Sequence, residues 1–379
     1  VKLSAQRQHA GYRHSASVML GGLTALLLLC GASKAADETA YPAAARIFRN
    51  HDTERVSQPL SSVLRWRWQR WRDQLPVPAV NPPASARPDL ARLHAYAQQT
   101  GADQPSLSWI GHASVLIQAG GLSILTDPIF SERASPVQFA GPRRLQPPGI
   151  ALDELPPIDV VLISHNHPDH LDQHSVLALQ QQAAARGRTI LFLVPLGVRA
   201  VLRDWGITQV QELDWWHSVS VSTTTFLLTP TQHWSARGLC DENRTLWGGW
   251  AVFGPTLRWY FAGDSGYSRD FLRTREHFRA RLGEQGFDLA LLPIGAYAPR
   301  WFMQGQHVDP AEAVQIHLDL AARRSIGIHW GTFALGDEAA DQPPRDLLQA
   351  RERAGLTPAQ FDTIAIGATI TLDPHQAPE

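Results

Sequence analysis

Cysteine is nearly absent from this sequence. Only Cys30 and Cys240 occur in 379 residues, which excludes a disulfide framework and any thiolate metal cluster. Excess charge is missing too: 34 Lys and Arg face 35 Asp and Glu, for a formal net charge of −1. A chain this close to neutral lacks the electrostatic footprint of a nucleic-acid binder. Charged residues make up 18%, below the usual quarter, while 44% are hydrophobic and aromatics are plentiful, so wholesale disorder is excluded. There is no internal repeat and no low-complexity block. What is abundant is histidine, with 16 copies, and their positions carry the functional signal.

Long apolar runs are also scarce. The clearest, Val18 to Ala32, is short for a membrane span but suits the hydrophobic core of a secretory signal. Lys2, Arg7 and Arg13 precede it, and Ser33-Lys34-Ala35 supplies the small residues that a signal peptidase reads. Residues 1–35 are therefore expected to be a signal peptide or an uncleaved signal anchor. Either one exports the chain to the cell envelope, periplasmic or membrane-associated. Leu29 stands where a lipoprotein signal takes a small residue, which argues against lipidation of Cys30.

Residues 36–105 read as an N-terminal extension rich in Pro, Ala and Arg. Within it Leu60, Leu64, Trp68, Trp71 and Leu75 share one helical face, with Arg65, Gln69 and Arg72 elsewhere. Trp and Arg on one helix suit a membrane interface, with rings at the headgroup level and guanidiniums near phosphates. The alternative is a helix whose Trp face packs on the main domain. Asn81-Pro82-Pro83-Ala84-Ser85 marks the break before that domain, residues 106–379.

Strand-length apolar runs then recur: Ser108–Gln118, Ser123–Thr126, Val160–Ser164, Thr189–Pro195, Thr224–Thr229, Arg258–Ala262, Leu289–Ile294, Ser325–His329 and Thr363–Leu372. Helical stretches fall at His174–Arg186, Gly197–Trp205, Arg269–Arg281, Pro310–Ala322 and Arg345–Ala354. This is an α/β pattern with too many hairpin-like strand pairs for a purely doubly wound sheet.

The strand Val160–Ser164 runs into His165-Asn-His167-Pro-Asp169-His170-Leu-Asp172, an H-x-H-x-D-H sequence. His165 and His167 can converge on one ion while Asp169 and His170 point to a second beside it. Two coordination spheres need more ligands than this motif holds. His233, Asp264 (in Gly263-Asp264-Ser265-Gly266) and His329 each stand at the end of an apolar run and are the candidates. With no Cys at any of these positions, zinc is favoured over manganese or iron. Asp172 either fixes a ligand imidazole or caps the helix that follows. Asp309, Pro310 and Glu312 spell a capping box, which leaves His307 unexplained. His112 reads as a hydrogen-bonded interior histidine. Trp215, Trp216, Trp247, Trp250 and Trp301 either wall a lipid channel or fill core.

The order H-x-H-x-D-H, distant His, Gly-Asp-Ser-Gly, distant His resembles the metallo-β-lactamase superfamily. Longer runs narrow the resemblance. They include Trp109-Ile-Gly-His-Ala-Ser, Leu125-Thr-Asp-Pro-Ile-Phe-Ser, Pro293-Ile-Gly-Ala-Tyr-Ala-Pro-Arg-Trp-Phe-Met and Ile328-His-Trp-Gly-Thr-Phe-Ala-Leu. These are similar to the N-acylphosphatidylethanolamine-hydrolysing phospholipase D family, from about Trp109 to Leu348. Bacterial relatives of that group are described as outer-membrane proteins, in keeping with an exported chain.

The resemblance implies a four-layered αββα sandwich with two zinc ions per chain at one edge. One zinc would take His165, His167 and His233; the other Asp169, His170 and His329; Asp264 would bridge them. It also implies hydrolysis of N-acylphosphatidylethanolamine to phosphatidate and N-acylethanolamine by a metal-bound hydroxide. Asp264 and Asp169 would then be catalytic, and His307 would protonate the leaving alkoxide. Gln138, Gln306, His307 and Arg300 are the substrate-binding candidates, with Arg143 and Arg144 as further partners for a lipid phosphate. Pro168 and Phe139 replace tyrosines of the mammalian member, which bears on substrate preference. The implied partners are a phospholipid and a membrane surface, with a homodimer open and nucleic acid excluded. Against this stand another ester, lactone or phosphate hydrolase of the same fold and a non-catalytic envelope protein.

Overall fold

The computed structural model describes residues 46–373, apart from 54–55, 77–78, 80, 82, 100–103 and 239. The expected signal segment, 1–35, lies outside the described residues. Among the described residues no helix is long and apolar enough to cross a membrane.

Among the described residues, two seven-stranded sheets form the core of the fold. The first half supplies β1 (Ser106–Gly111), β2 (Ser114–Ala119), β3 (Leu122–Thr126), β4 (Val160–Leu162), β5 (Leu191–Pro195) and β6 (Val210–Leu213). The second supplies β7 (Ser218–Val221), β8 (Thr224–Thr229), β9 (Gly249–Phe253), β10 (Arg258–Phe261), β11 (Leu289–Pro293), β12 (Ser325–Ile328) and β13 (Phe361–Asp362). A last strand, β14 (Thr369–Thr371), returns to the first sheet and pairs with β1. Each half begins as antiparallel hairpins and ends as parallel strands. Parallel pairing needs crossovers, and helices supply them. Gln173–Ala185 and Val198–Asp204 serve the first sheet; Pro310–Asp319 and Gln342–Arg353 serve the second.

The central strands are buried on both faces, so they read as apolar runs rather than alternating ones. Trp109, Phe226, Trp250, Phe261 and Leu291 fill the space between the sheets. Leu116, Val161, Val176, Phe192 and Leu202 pack the first sheet under its helices. The four-layered αββα expectation holds on this topology.

Three expected elements differ. Ser108–Gln118 is two strands, because Gly111 (φ +132°) and His112 (φ +54°) turn the chain where no change of hydropathy marks it. Arg269–Arg281 breaks at Phe278 into Asp270–His277 and Arg279–Leu282. Thr363–Leu372 yields only the short β14.

From Arg46 onward the described extension belongs to the same compact unit as the sheets. Phe48 is buried and its N–H donates to the Asn243 carbonyl at 2.9 Å. The Trp/Arg-rich segment forms a helix, α1 (Leu60–Arg72). It docks through Trp66, whose ring stacks on Phe302 at 4.7 Å and whose Nε1–H donates to Asp337 at 3.0 Å. Arg70 Nη2 adds a bond to the Ala334 carbonyl at 3.1 Å. The packing alternative for the Trp face is therefore corrected: Leu60, Leu64, Trp68 and Trp71 are 54–72% exposed, because Trp66 and Arg70 on the other side make the contacts.

Candidate metal centre

The H-x-H-x-D-H loop leaves the C-terminal end of β4, and the ends of β8, β10 and β12 deliver the remaining candidates to the same edge. All seven expected ligands converge there. His165 Nε2 lies 2.8 Å from His167 Nδ1, and His233 Nε2 lies 3.3 Å from that same atom. Those three nitrogens form one group. Asp169 Oδ2 lies 3.5 Å from His170 Nε2 and 3.8 Å from His329 Nε2, in a second group that also includes His112. Asp264 spans the two: Oδ2 is 3.1 Å from His170 Nε2 and 4.0 Å from His233 Nε2, while Oδ1 is 3.2 Å from His329 Nε2.

The backbone is bent to bring these groups together. His329 sits at φ +62° and Gly263, beside Asp264, at φ +61°. A Cβ on Gly263 would meet Ser164 Cβ at 2.5 Å, so that turn takes only glycine.

Outer partners orient the ligand rings. Ser164 Oγ–H donates to Asp127 at 2.5 Å, so the His165 Nδ1–H donates to Ser164 Oγ at 2.9 Å and Nε2 is left to face the centre. His170 Nδ1 is 2.6 Å from Asp127 Oδ2, and His233 Nδ1–H donates to the Gln306 carbonyl at 3.0 Å. Asn50 of the extension brackets the His233 backbone, accepting its N–H at 3.0 Å and donating to its carbonyl at 2.9 Å. Such outer contacts fix tautomer and ring direction in metal sites.

The residues fit divalent cations. Buried atoms His167 Nε2, His170 Nε2, His329 Nε2 and Asp264 Oδ1 have no well-formed hydrogen bond, a costly state that ligation would relieve. Burial, reinforced by the neighbouring histidines, holds His165 well below its usual pKa. Burial likewise holds His233 well below and His167 at about 4, so these three are neutral nitrogen donors. Burial would raise Asp264, but the charges of His170 and His329 overcome it and keep the carboxylate ionised. His329 is the mirror case: burial lowers it, Asp264 raises it more, and it ends at about 9. The centre thus keeps two buried carboxylates charged by gathering positive charge around them.

A cleft of about 460 Å³ opens over the centre. Val63 and Trp66 of α1, Trp234, Phe302, Met303 and Leu335 make its apolar walls. His307 and Gln306 line it as expected. His307 Nδ1 is buried, lacks a hydrogen bond and lies 3.7 Å from Asp264 Oδ2. Burial pushes its pKa to about 4. The Gln306 side chain accepts the Trp234 Nε1–H at 2.6 Å.

Two substrate candidates are corrected. Arg300 is turned away from the cleft: it donates to the His307 carbonyl at 2.8 Å and to Glu312 at 2.7 Å. Gln138 bonds within its own loop, to Arg133 and Ser135, and lines a separate recess of about 240 Å³ beside Pro168. Arg143 pairs with Glu132, and Arg144 donates to the Ile129 and Ser131 carbonyls, so neither is free for phosphate. Asp172 is the helix cap and touches no ligand; it takes the Ser175 N–H at 3.3 Å and the Ser131 hydroxyl at 2.7 Å. Trp247 and Trp250 are core.

Asp127, Asn50 and Arg237 were not singled out from sequence. Asp127 ends the apolar run of β3, the same strand-end signal that flagged Asp264. Arg237 Nη1 donates to the carbonyls of Asn166 at 2.9 Å and Leu171 at 2.7 Å, and so clasps both ends of the metal loop.

Known proteins agree with this geometry. Residues 123–330 match the family profile described as "Beta-lactamase superfamily domain". The chain is 41% identical over 274 residues to N-acyl-phosphatidylethanolamine-hydrolyzing phospholipase D 1 of Caenorhabditis elegans, covering 69% of this chain and 74% of that protein. It is 36% identical over 257 residues to the mitochondrial enzyme of the same name from Saccharomyces cerevisiae, covering 66% of this chain and 52% of that one. Among solved structures it resembles Igni18, a metallo hydrolase from the archaeon Ignicoccus hospitalis, with TM-score 0.53 at 20% identity over 71% of this chain and 99% of that one. The chain therefore belongs to the metallo-β-lactamase superfamily and, within it, to the N-acylphosphatidylethanolamine-hydrolysing phospholipase D family of metal-dependent hydrolases.

Proposed function

We propose that this chain is a zinc-dependent phosphodiesterase that cleaves N-acylphosphatidylethanolamine to phosphatidate and N-acylethanolamine. One observation carries the reading: a converging cluster of His nitrogens and Asp oxygens able to hold metal lies under an apolar-walled cleft, in a relative of enzymes named for that reaction. Nitrogen and carboxylate donors without thiolate suit zinc.

His165, His167 and His233 would hold one ion, Asp169, His170 and His329 the other, and Asp264 both. Bound ions supply Lewis acidity to a phosphoryl oxygen and acidify water toward neutral pH. Trp66, Phe302 and Met303 exclude bulk water and receive the apolar part of the substrate. A phosphodiester anion in the cleft would raise the pKa of His307, letting it give a proton to the departing alkoxide. Water adds to phosphorus and the bond to the ethanolamide oxygen breaks. The His307 proton completes N-acylethanolamine, and the proton lost by water returns to His307.

The site of action is a bilayer surface. α1 supports this, since Val63 and Trp66 wall the cleft while Leu60, Leu64, Trp68 and Trp71 face outward with Arg65 and Arg67 beside them. Residues 1–35 would deliver the enzyme to the envelope.

The test is metal-analysed protein incubated with N-acylphosphatidylethanolamine in mixed micelles, with Asp264→Asn alongside. The expected result is release of N-acylethanolamine by the wild type, about two zincs per chain, and loss of release in the variant. Two metals without release from this lipid would overturn the substrate and keep the hydrolase.

A further inference from the structure

We propose that His112 is a positioning residue of the metal centre, holding two ligands of one metal group from a single hairpin turn. It rests on the metal centre alone and does not depend on the lipid substrate.

His112 occupies the turn between β1 and β2 and is buried. Its Nε2 lies 3.0 Å from Asp169 Oδ2. An ionised carboxylate only accepts, so His112 Nε2 carries the proton and donates. That assignment separates His112 from the residues around it. A nitrogen that holds a hydrogen has no lone pair for an ion, so among the converging groups Nε2 of His112 is committed to Asp169 rather than to a metal. The usual order in metal sites is a carboxylate supporting a ligand imidazole, as Asp127 supports His170. Here an imidazole supports a ligand carboxylate.

The same residue reaches the second ligand through its main chain. The His329 N–H donates to the His112 carbonyl at 2.9 Å, and the Trp109 indole N–H donates to that carbonyl at 2.9 Å as well. The His112 N–H donates to Thr332 Oγ1 at 2.7 Å, just beyond His329. The two rings lie against each other, with centroids 4.0 Å apart. Both residues sit in the left-handed region, at φ +54° and +62°, so each turn is braced by the other.

The choice of side chain follows from charge. A lysine or arginine could donate to Asp169 equally well, but would set a fixed positive charge beside a dication. A neutral imidazole donates without that repulsion. Without the donor, Asp169 would be free to rotate its Oδ2 away from His170 and His329.

The experiment compares wild type, His112→Ala and His112→Gln for zinc affinity at each site, by competition with a chelating dye. The cobalt-substituted proteins are compared by electronic absorption, and near-ultraviolet circular dichroism checks the fold. Gln Nε2–H can replace the lost donor. The expected result is a roughly 10–100-fold weaker second site in His112→Ala, with an altered cobalt spectrum, and recovery of most of both in His112→Gln. A double variant with Asp169→Ala should show no further loss from His112→Ala. Unchanged affinities in His112→Ala would overturn the proposal, as would equal loss in Ala and Gln variants that keep the wild-type fold. If His112→Ala fails to fold, His112→Gln decides: retained affinity supports the donor role, and loss refutes it. A wild type that binds no metal would overturn the metal centre itself.

Discussion

Asp127 Oδ2 lies 2.6 Å from His170 Nδ1, and neither side chain reaches solvent. Asp127 also accepts the Ser164 N–H at 2.7 Å, so one carboxylate fixes the end of β4 and the ring of a ligand together. Burial raises the Asp127 pKa against the bonds from His170 and Ser164, which makes those bonds essential to its charge. Asp127→Ala should weaken metal binding roughly 10–100-fold. It should also cost about 3–5 kcal/mol of stability in the metal-free protein, where His170 would lose its buried partner. Chelator competition and urea unfolding measure the two effects, and wild-type metal affinity in the variant would refute the role.

The outward stripe of α1 makes a separable prediction. Leu64→Glu combined with Trp68→Glu should remove binding to anionic vesicles in a flotation assay. Both positions are more than half exposed, so each change should move stability by only about 0.5 kcal/mol. Turnover of a small soluble phosphodiester should be unaffected. Retained flotation would end the membrane role of this face.

The candidate ligands are legible in the sequence because metal chemistry restricts residue types and strand ends gather them. His165, His167, Asp169 and His170 are local, and His233, Asp264 and His329 each follow a recognisable apolar run. Asp127 carries the same strand-end signal but stands alone in sequence and looks like an ordinary turn residue, whereas His112 reads correctly as a buried, hydrogen-bonded histidine whose partners lie far along the chain. Asn50 and His233 are 183 positions apart, with no pattern linking them. Arg300 read as a free cation because Glu312 and the His307 carbonyl become its partners only when the helix Pro310–Asp319 is set in place. The strand β7, Ser-Val-Ser-Val, alternates between exposed and half-buried positions and offers too little apolar signal to be found.

Acid stability tests a histidine away from the metals. His317 is buried, its Nδ1 lies 2.8 Å from Ser325 Oγ, and its ring stacks on Phe361. Burial pushes its pKa from 6.5 to about 4. The unfolded chain then binds the proton at higher pH than the folded one. Its contribution is full above about pH 6.5 and is lost as pH falls toward 4. His317→Gln does not titrate. The stability difference between wild type and this variant should therefore shrink by up to about 3 kcal/mol between pH 7 and pH 4. A difference that stays constant across this range would refute the neutral, buried state.

Arg300 separates support from substrate binding. If it met a lipid phosphate, Arg300→Ala would raise KM and leave kcat nearly unchanged. The structure predicts the reverse split. The Arg300 guanidinium holds the His307 carbonyl and Glu312, and Glu312 completes the capping box at Asp309. Truncation should loosen His307 and lower kcat severalfold on a soluble phosphodiester, with KM close to wild type. The lost surface pairing should cost only about 0.5–1 kcal/mol of stability. Arg300→Lys keeps the charge but not the two-pronged geometry, so it should fall between the two. A pure KM effect in Arg300→Ala would return this residue to the substrate.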